Sequence, residues 1–140
     1  MNGVFIDACV LLDLFTADPR WANWSESMLE RYGQANSLYI NAIVYAEVSV
    51  GFDEIEVLDQ ALSELGIKVL EIPREALFLA GKVFLQYRKN KGRKRSPLPD
   101  FFIGAHVAAS QLVLITRDIR NYQTYFPQIE IVLPTVDMLL

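Results

Sequence analysis

Cysteine is the first scarcity: the 140 residues hold one, Cys9, so no internal disulfide can form. That suits a reducing compartment. Histidine is equally scarce, with His106 alone, and the pair is too small for a zinc site of the usual sulfur and imidazole composition. Long apolar runs are missing. The opening "MNGVFIDACVLLDLF" is cut by Asp7 and Asp13 and lacks the basic start of a secretory leader. No stretch is long enough to span a bilayer. The expectation is a cytoplasmic protein with no membrane association. Repeats, low-complexity tracts and linkers are also lacking, so residues 1–140 read as one domain. Positive charge is short as well: 13 Lys and Arg against 17 Asp and Glu leave a net −4. Taken alone, that balance counts against nucleic acid as a partner.

What is present changes the picture. The chain is 52% hydrophobic, enough to bury a core without staples. Its basic charge is concentrated: "RKNKGRKR", residues 88–95, holds six of the 13 basic residues, leaving the other 132 residues with 7 basic and 17 acidic. The plain explanation is a solvated helix end. Phosphate binding becomes the better explanation only beside a phosphate-cutting site.

Hydrophobic periodicity lays strands and helices alternately along the chain. Strands are expected at Val4–Ile6, Leu38–Ile40, Ile67–Leu70, Leu112–Ile115 and near Ile129–Val132. Between them come a helical turn over Ala8–Phe15, a helix from Asp18-Pro19 to about Gly33, and one capped by Asn41 to about Gly51. A further helix starts at Asp53, with Ile55, Leu58, Leu62 and Leu65 on one face. A long one opens at Pro73, with Leu77, Ala80, Phe84 and Tyr87 in register, and another spans Asp100–Ser110. Strands joined through helices pair in parallel, which predicts a three-layer α/β/α sandwich around a parallel sheet. In such sheets ligands gather beyond the carboxyl ends of the strands. Asp7 and Asp118 each follow a strand and are expected at that same edge.

Two other acids sit on apolar helix faces. Glu47 shares its face with Ile43, Val44, Val50 and Gly51, and Asp100 with Ile103, Gly104 and Val107. Singly, each acid has an ordinary explanation: Glu47 bonds an arginine or backbone donors, and the three aspartates cap helices or turns. Together they repel, at a cost on the order of 4 kcal/mol for a pair about 4 Å apart at an effective dielectric near 20. A hard divalent cation held by oxygen ligands relieves that cost, and beside a basic segment it suits phosphodiester chemistry.

The same residues carry a family resemblance. "VFIDACVLLDLF", "INAIVYAEV", "LPDFFIGAHVAA" and "LITRDIRNYQTYFP" resemble, in order and over nearly the whole chain, the acidic motifs of PIN-domain nucleases. The resemblance is to the VapC-type toxins of prokaryotic toxin–antitoxin pairs within that family. It implies an Mg²⁺- or Mn²⁺-dependent endoribonuclease with one or two ions held by Asp7, Glu47, Asp100 and Asp118. Metal-activated water would attack phosphorus in line, leaving a 5′-phosphate and a 3′-hydroxyl. It also implies a cognate antitoxin that blocks the site, a homodimer, and RNA as substrate, transfer RNA among the candidates. Thr116, Asn121 and Asn41 are supporting candidates behind the acids. Arg93, Lys94, Arg95, Arg117 and Arg120 are candidate RNA contacts, with pairing to the acids open to the last two.

The chain departs from the pattern at Cys9, where relatives often carry a polar residue, and at Asn121, where many carry another acid. The second departure bears on a second ion more than on activity. Two other classes compete. A haloacid-type phosphatase wants an aspartate where Cys9 stands, and a receiver domain wants a lysine where "TRD" follows Ile115. An inactive PIN module serving as a binding surface is disfavoured by the presence of all four acids. His106, about 240° around the helix from Asp100, is assigned to structure, as are Trp21 and Trp24. Asp13 is assigned to the surface or to a polar network.

Overall fold

The computed structural model describes residues 3–93 and 98–135, the Asn121 side chain excepted. Lys94, Arg95 and the Asn121 side chain, candidates from the sequence, lie outside the described residues. Five strands form one parallel sheet: β1 (Gly3–Ile6), β2 (Ser37–Asn41), β3 (Ile67–Leu70), β4 (Val113–Ile115) and β5 (Glu130–Val132), in the order β3-β2-β1-β4-β5. Seven helices accompany them among the described residues: α1 (Ala8–Phe15), α2 (Ala22–Gly33), α3 (Ala42–Ser49), α4 (Ile55–Glu64), α5 (Arg74–Lys89), α6 (Pro99–Ser110) and α7 (Arg120–Tyr125). This is the α/β/α sandwich that the alternation of elements predicts. Among the described residues no helix is long and apolar enough to cross a membrane.

The strand order places the site. From β1 the chain winds one way to β2 and β3, then returns to lay β4 and β5 on the other side of β1. The switch point therefore lies between β1 and β4, where the two crossovers part and leave a crevice. The backbone N–H of Asp7 donates to the Ile115 carbonyl at 3.0 Å, clamping the two strand ends side by side. Val4, Phe5, Ile6, Leu114 and Ile115 are all buried, as a central strand covered on both faces requires.

Local expectations shift in three places. On α5 the buried stripe is Ala76, Ala80 and Val83, and Leu77 is 45% exposed. Tyr87, in register with the predicted face, packs edge-on against Phe101 of α6. On α4 Leu58 and Leu62 are buried while Ile55 is exposed. The regular part of α2 begins at Ala22; Asp18 instead holds the preceding turn by accepting from the N–H groups of Arg20 and Trp21, each at 2.9 Å.

Gly104 on α6 is required by contact. A Cβ there would lie 2.4 Å from the Phe126 ring that ends α7. Gly104→Ala is expected to push α7 away and to cost about 1–3 kcal/mol, as overpacking of a core does. A denaturant midpoint within error of the parent would contradict this.

Candidate functional site

Asp7 ends β1 and caps α1, its Oδ1 accepting from the Ala8 N–H at 2.8 Å. An aspartate suits this place because its carboxylate satisfies a donor that the first turn leaves open. Its other oxygen, Oδ2, accepts from the Thr116 hydroxyl at 2.7 Å and the Tyr122 hydroxyl at 3.1 Å. Asp7 is 6% exposed. Burial first, then the charge of Asp100, push its carboxyl up to about 6, against the lowering effect of its hydrogen bonds.

Asp100 lies in the first turn of α6, where Leu98 is the N-cap and Pro99 opens the helix. It is not the cap, but a carboxylate there is favoured by the positive end of the helix. Its Oδ1 accepts from the same Tyr122 hydroxyl at 3.2 Å. Glu47, half-buried on α3, is pushed up to about 7 by burial and then by the charges of Asp7 and Asp100. Among the described residues its Oε1 is buried with no hydrogen-bond partner, so no described arginine or backbone donor makes that atom ordinary.

Asp118 follows β4 at the same edge. It is exposed, and its Oδ1 accepts from the Arg120 N–H at 3.3 Å. It is joined to Asp7 through Thr116, whose hydroxyl accepts from the Asp118 N–H at 3.0 Å while donating to Asp7. The N-cap of α7 is Ile119, not Asp118. The fold thus brings Asp7, Glu47 and Asp100 into mutual electrostatic contact and ties Asp118 on through Thr116. Among the described residues, no three acid, histidine or cysteine side chains are gathered closely enough to enclose an ion.

The other candidates divide. Thr116 is fully buried and touches Asp7 directly. Asn41 caps α3, its Oδ1 accepting from Ile43 and Val44, and its Nδ2 lies 3.1 Å from His106 Nδ1. It therefore bears on Glu47 only through the helix, and His106 is buried beside it. Arg117 is engaged elsewhere: its guanidinium donates to both oxygens of buried Asp13, at 2.5 and 3.0 Å, and lies over the Trp21 ring. That pairing commits much of its guanidinium to Asp13, which belongs to the interior. Arg93 and the Arg120 side chain are exposed. Cys9 lies with its Sγ 3.6 Å from the Thr116 hydroxyl, and burial followed by the Asp7 charge pushes its thiol up to about 11. It is a thiol, not a nucleophile.

Tyr122 escaped the sequence reading. In "RNYQTYF" it is one aromatic among three, and only its burial facing two acids marks it. Burial and the charges of Asp7 and Asp100 push its hydroxyl well above the ordinary range, so it stays a donor. All-oxygen ligands, mutual repulsion and a buried Glu47 oxygen without a partner among the described residues fit a hard divalent cation.

Comparison with known proteins agrees with the architecture. The PIN domain family model matches residues 4–127. The structure superposes on VapBC2 from Rickettsia felis bound to a promoter DNA fragment, with a TM-score of 0.74 and 18% identity over 94% of this chain and 98% of that one. DNA-bound VapBC from Salmonella typhimurium gives 0.68 and 20% over 94% and 98%. A toxin–antitoxin complex from Klebsiella pneumoniae gives 0.68 and 22% over 95% and 98%. At these identities the likeness speaks to the fold. No curated protein matches the chain significantly.

Proposed function

The chain belongs to the PIN-domain family, and from that premise we propose that it is the toxin nuclease of a toxin–antitoxin pair. In this reading it is an endoribonuclease that uses Mg²⁺ or Mn²⁺ to hydrolyse RNA. The observation that carries it is the buried Glu47 oxygen with no hydrogen-bond partner among the described residues, beside the charges of Asp7 and Asp100, which after burial raise its proton affinity. Asp7, Glu47 and Asp100 would hold the ion, with Asp118 joining from the exposed side. When bound, the cation supplies a Lewis acid that withdraws charge from the phosphate and lowers the pKa of water. The chain's own residues do the rest. Thr116 and Tyr122 orient the Asp7 carboxylate, and α3 and α6 carry Glu47 and Asp100 to the crevice. Burial makes the unneutralised state costly.

Cleavage of a total RNA pool with added Mg²⁺ or Mn²⁺ tests this. Fragments with 5′-phosphate and 3′-hydroxyl ends are expected, and none in EDTA. Cleavage that persists undiminished in EDTA would overturn the cation's role. The antitoxin reading draws on the complexes that share the fold. It expects a small partner protein, encoded alongside, to suppress cleavage by placing a cationic group among the acids. Exposed Val50, Ile55, Phe78 and Leu85 offer apolar surface to such a partner or to a second copy in a homodimer.

Arg93 with its neighbours Lys94 and Arg95, and Arg120, are the proposed phosphate contacts. Neutralising Arg93, Lys94 and Arg95 together is expected to weaken RNA binding and to flatten its dependence on salt by up to about three phosphate contacts' worth. An unchanged salt slope would refute their role.

A further inference from the structure

The Tyr122 hydroxyl stands between carboxylates delivered by two different elements, 3.1 Å from Asp7 Oδ2 and 3.2 Å from Asp100 Oδ1. Both contacts are longer than an ordinary O–H···O bond, and one phenolic proton serves both acceptors. A donor shared evenly in this way registers two acids against each other: displacing either one loses a bond. The ring has no room to follow. Tyr122 is 1% exposed, and its helix is seated on α6 by Phe126 against Gly104. Asp7 is fixed from the remaining directions by Ala8 on Oδ1 and Thr116 on Oδ2. With Thr116 and Tyr122 together on Oδ2, the acceptor capacity left to Asp7 is on Oδ1.

We propose that Tyr122 is a positioning residue that sets the spacing and orientation of Asp7 and Asp100 for a divalent cation. The inference rests on the cation-site reading above. Donors behind ligating groups fix which oxygen faces the ion, and their loss is felt in affinity before it is felt in the fold. Tyr125, on the same helix, supplies the contrast. Its ring packs edge-on against Phe101 and Tyr87, while the hydroxyl that bridges Asp7 and Asp100 is Tyr122's.

The test measures Mn²⁺ binding by the loss of the free-ion paramagnetic resonance signal, in the full chain and in Tyr122→Phe and Tyr125→Phe. Tyr122→Phe is expected to bind Mn²⁺ about tenfold or more weakly. Tyr125→Phe is expected to match the parent within about twofold, with circular dichroism unchanged in both. Equal affinity in the parent and Tyr122→Phe overturns the positioning role and leaves the cation site standing. No Mn²⁺ binding by the parent overturns both. If Tyr122→Phe fails to fold, fluorotyrosine-labelled parent protein replaces it. Mn²⁺ is then expected to broaden one of the six tyrosine resonances selectively, and uniform or absent broadening overturns the role.

Discussion

Asp7→Asn is expected to abolish cation-dependent RNA cleavage, lowering it by at least about a hundredfold, the upper range for losing a group that merely supports a ligand. Asparagine still accepts from the Ala8 N–H, so the cap on α1 survives. What disappears is the Asp7 charge, which after burial and together with that of Asp100 raises the proton affinity of Glu47. The variant therefore separates chemistry from folding. In EDTA at neutral pH it is expected to be more stable than the parent by about 1–3 kcal/mol, because a buried carboxylate has become neutral. Undiminished cleavage by pure Asp7→Asn protein would remove the nuclease assignment. A marked loss of stability would mean that the carboxylate is structural.

Without divalent ions, stability is expected to fall as pH rises from 5 to 7.5. The Asp7 carboxyl moves from an ordinary 3.8 to about 6 on folding, and that of Glu47 from 4.5 to about 7. Both are raised, so the folded chain holds more protons than the unfolded chain between the two values. Stability declines with pH across that window. Asp7, which is almost wholly buried, contributes about 1–2 kcal/mol of the decline; Glu47 extends it towards pH 7. Mg²⁺ or Mn²⁺ should reverse the loss, and should stabilise the protein more at pH 7.5 than at pH 5, because ligation needs ionised carboxylates. Thermal melts at the two pH values, with EDTA and with each ion, decide the matter. A flat profile in EDTA, or equal stabilisation by the ion at both pH values, would contradict the coupling.

Cys9 bears on the competing phosphate-handling class. A phosphatase of the haloacid type needs a second acid there, and the thiol is neither an acid nor an active nucleophile at neutral pH. Arg117 bears on the nuclease reading from the other side. Its guanidinium is held by Asp13 and lies over Trp21, so it is committed to that pairing.

The sequence by itself determined the class of fold and the edge at which chemistry is to be sought. Apolar strands alternating with helices pair in parallel, and a parallel strand delivers whatever follows it to one edge. Asp7 and Asp118 were legible for that reason, and Glu47 and Asp100 because a carboxylate interrupts an apolar helical face. Only the tertiary structure decided the strand order, which puts the crevice between β1 and β4. It alone chose the partners too: Asp13 for Arg117, 104 residues away, and Asp7 for Tyr122, 115 residues away. Periodicity states which side of an element is buried. It does not state what lies opposite, because that depends on how separate elements pack. The hydroxyl of one tyrosine among six acquires its meaning only where three elements meet.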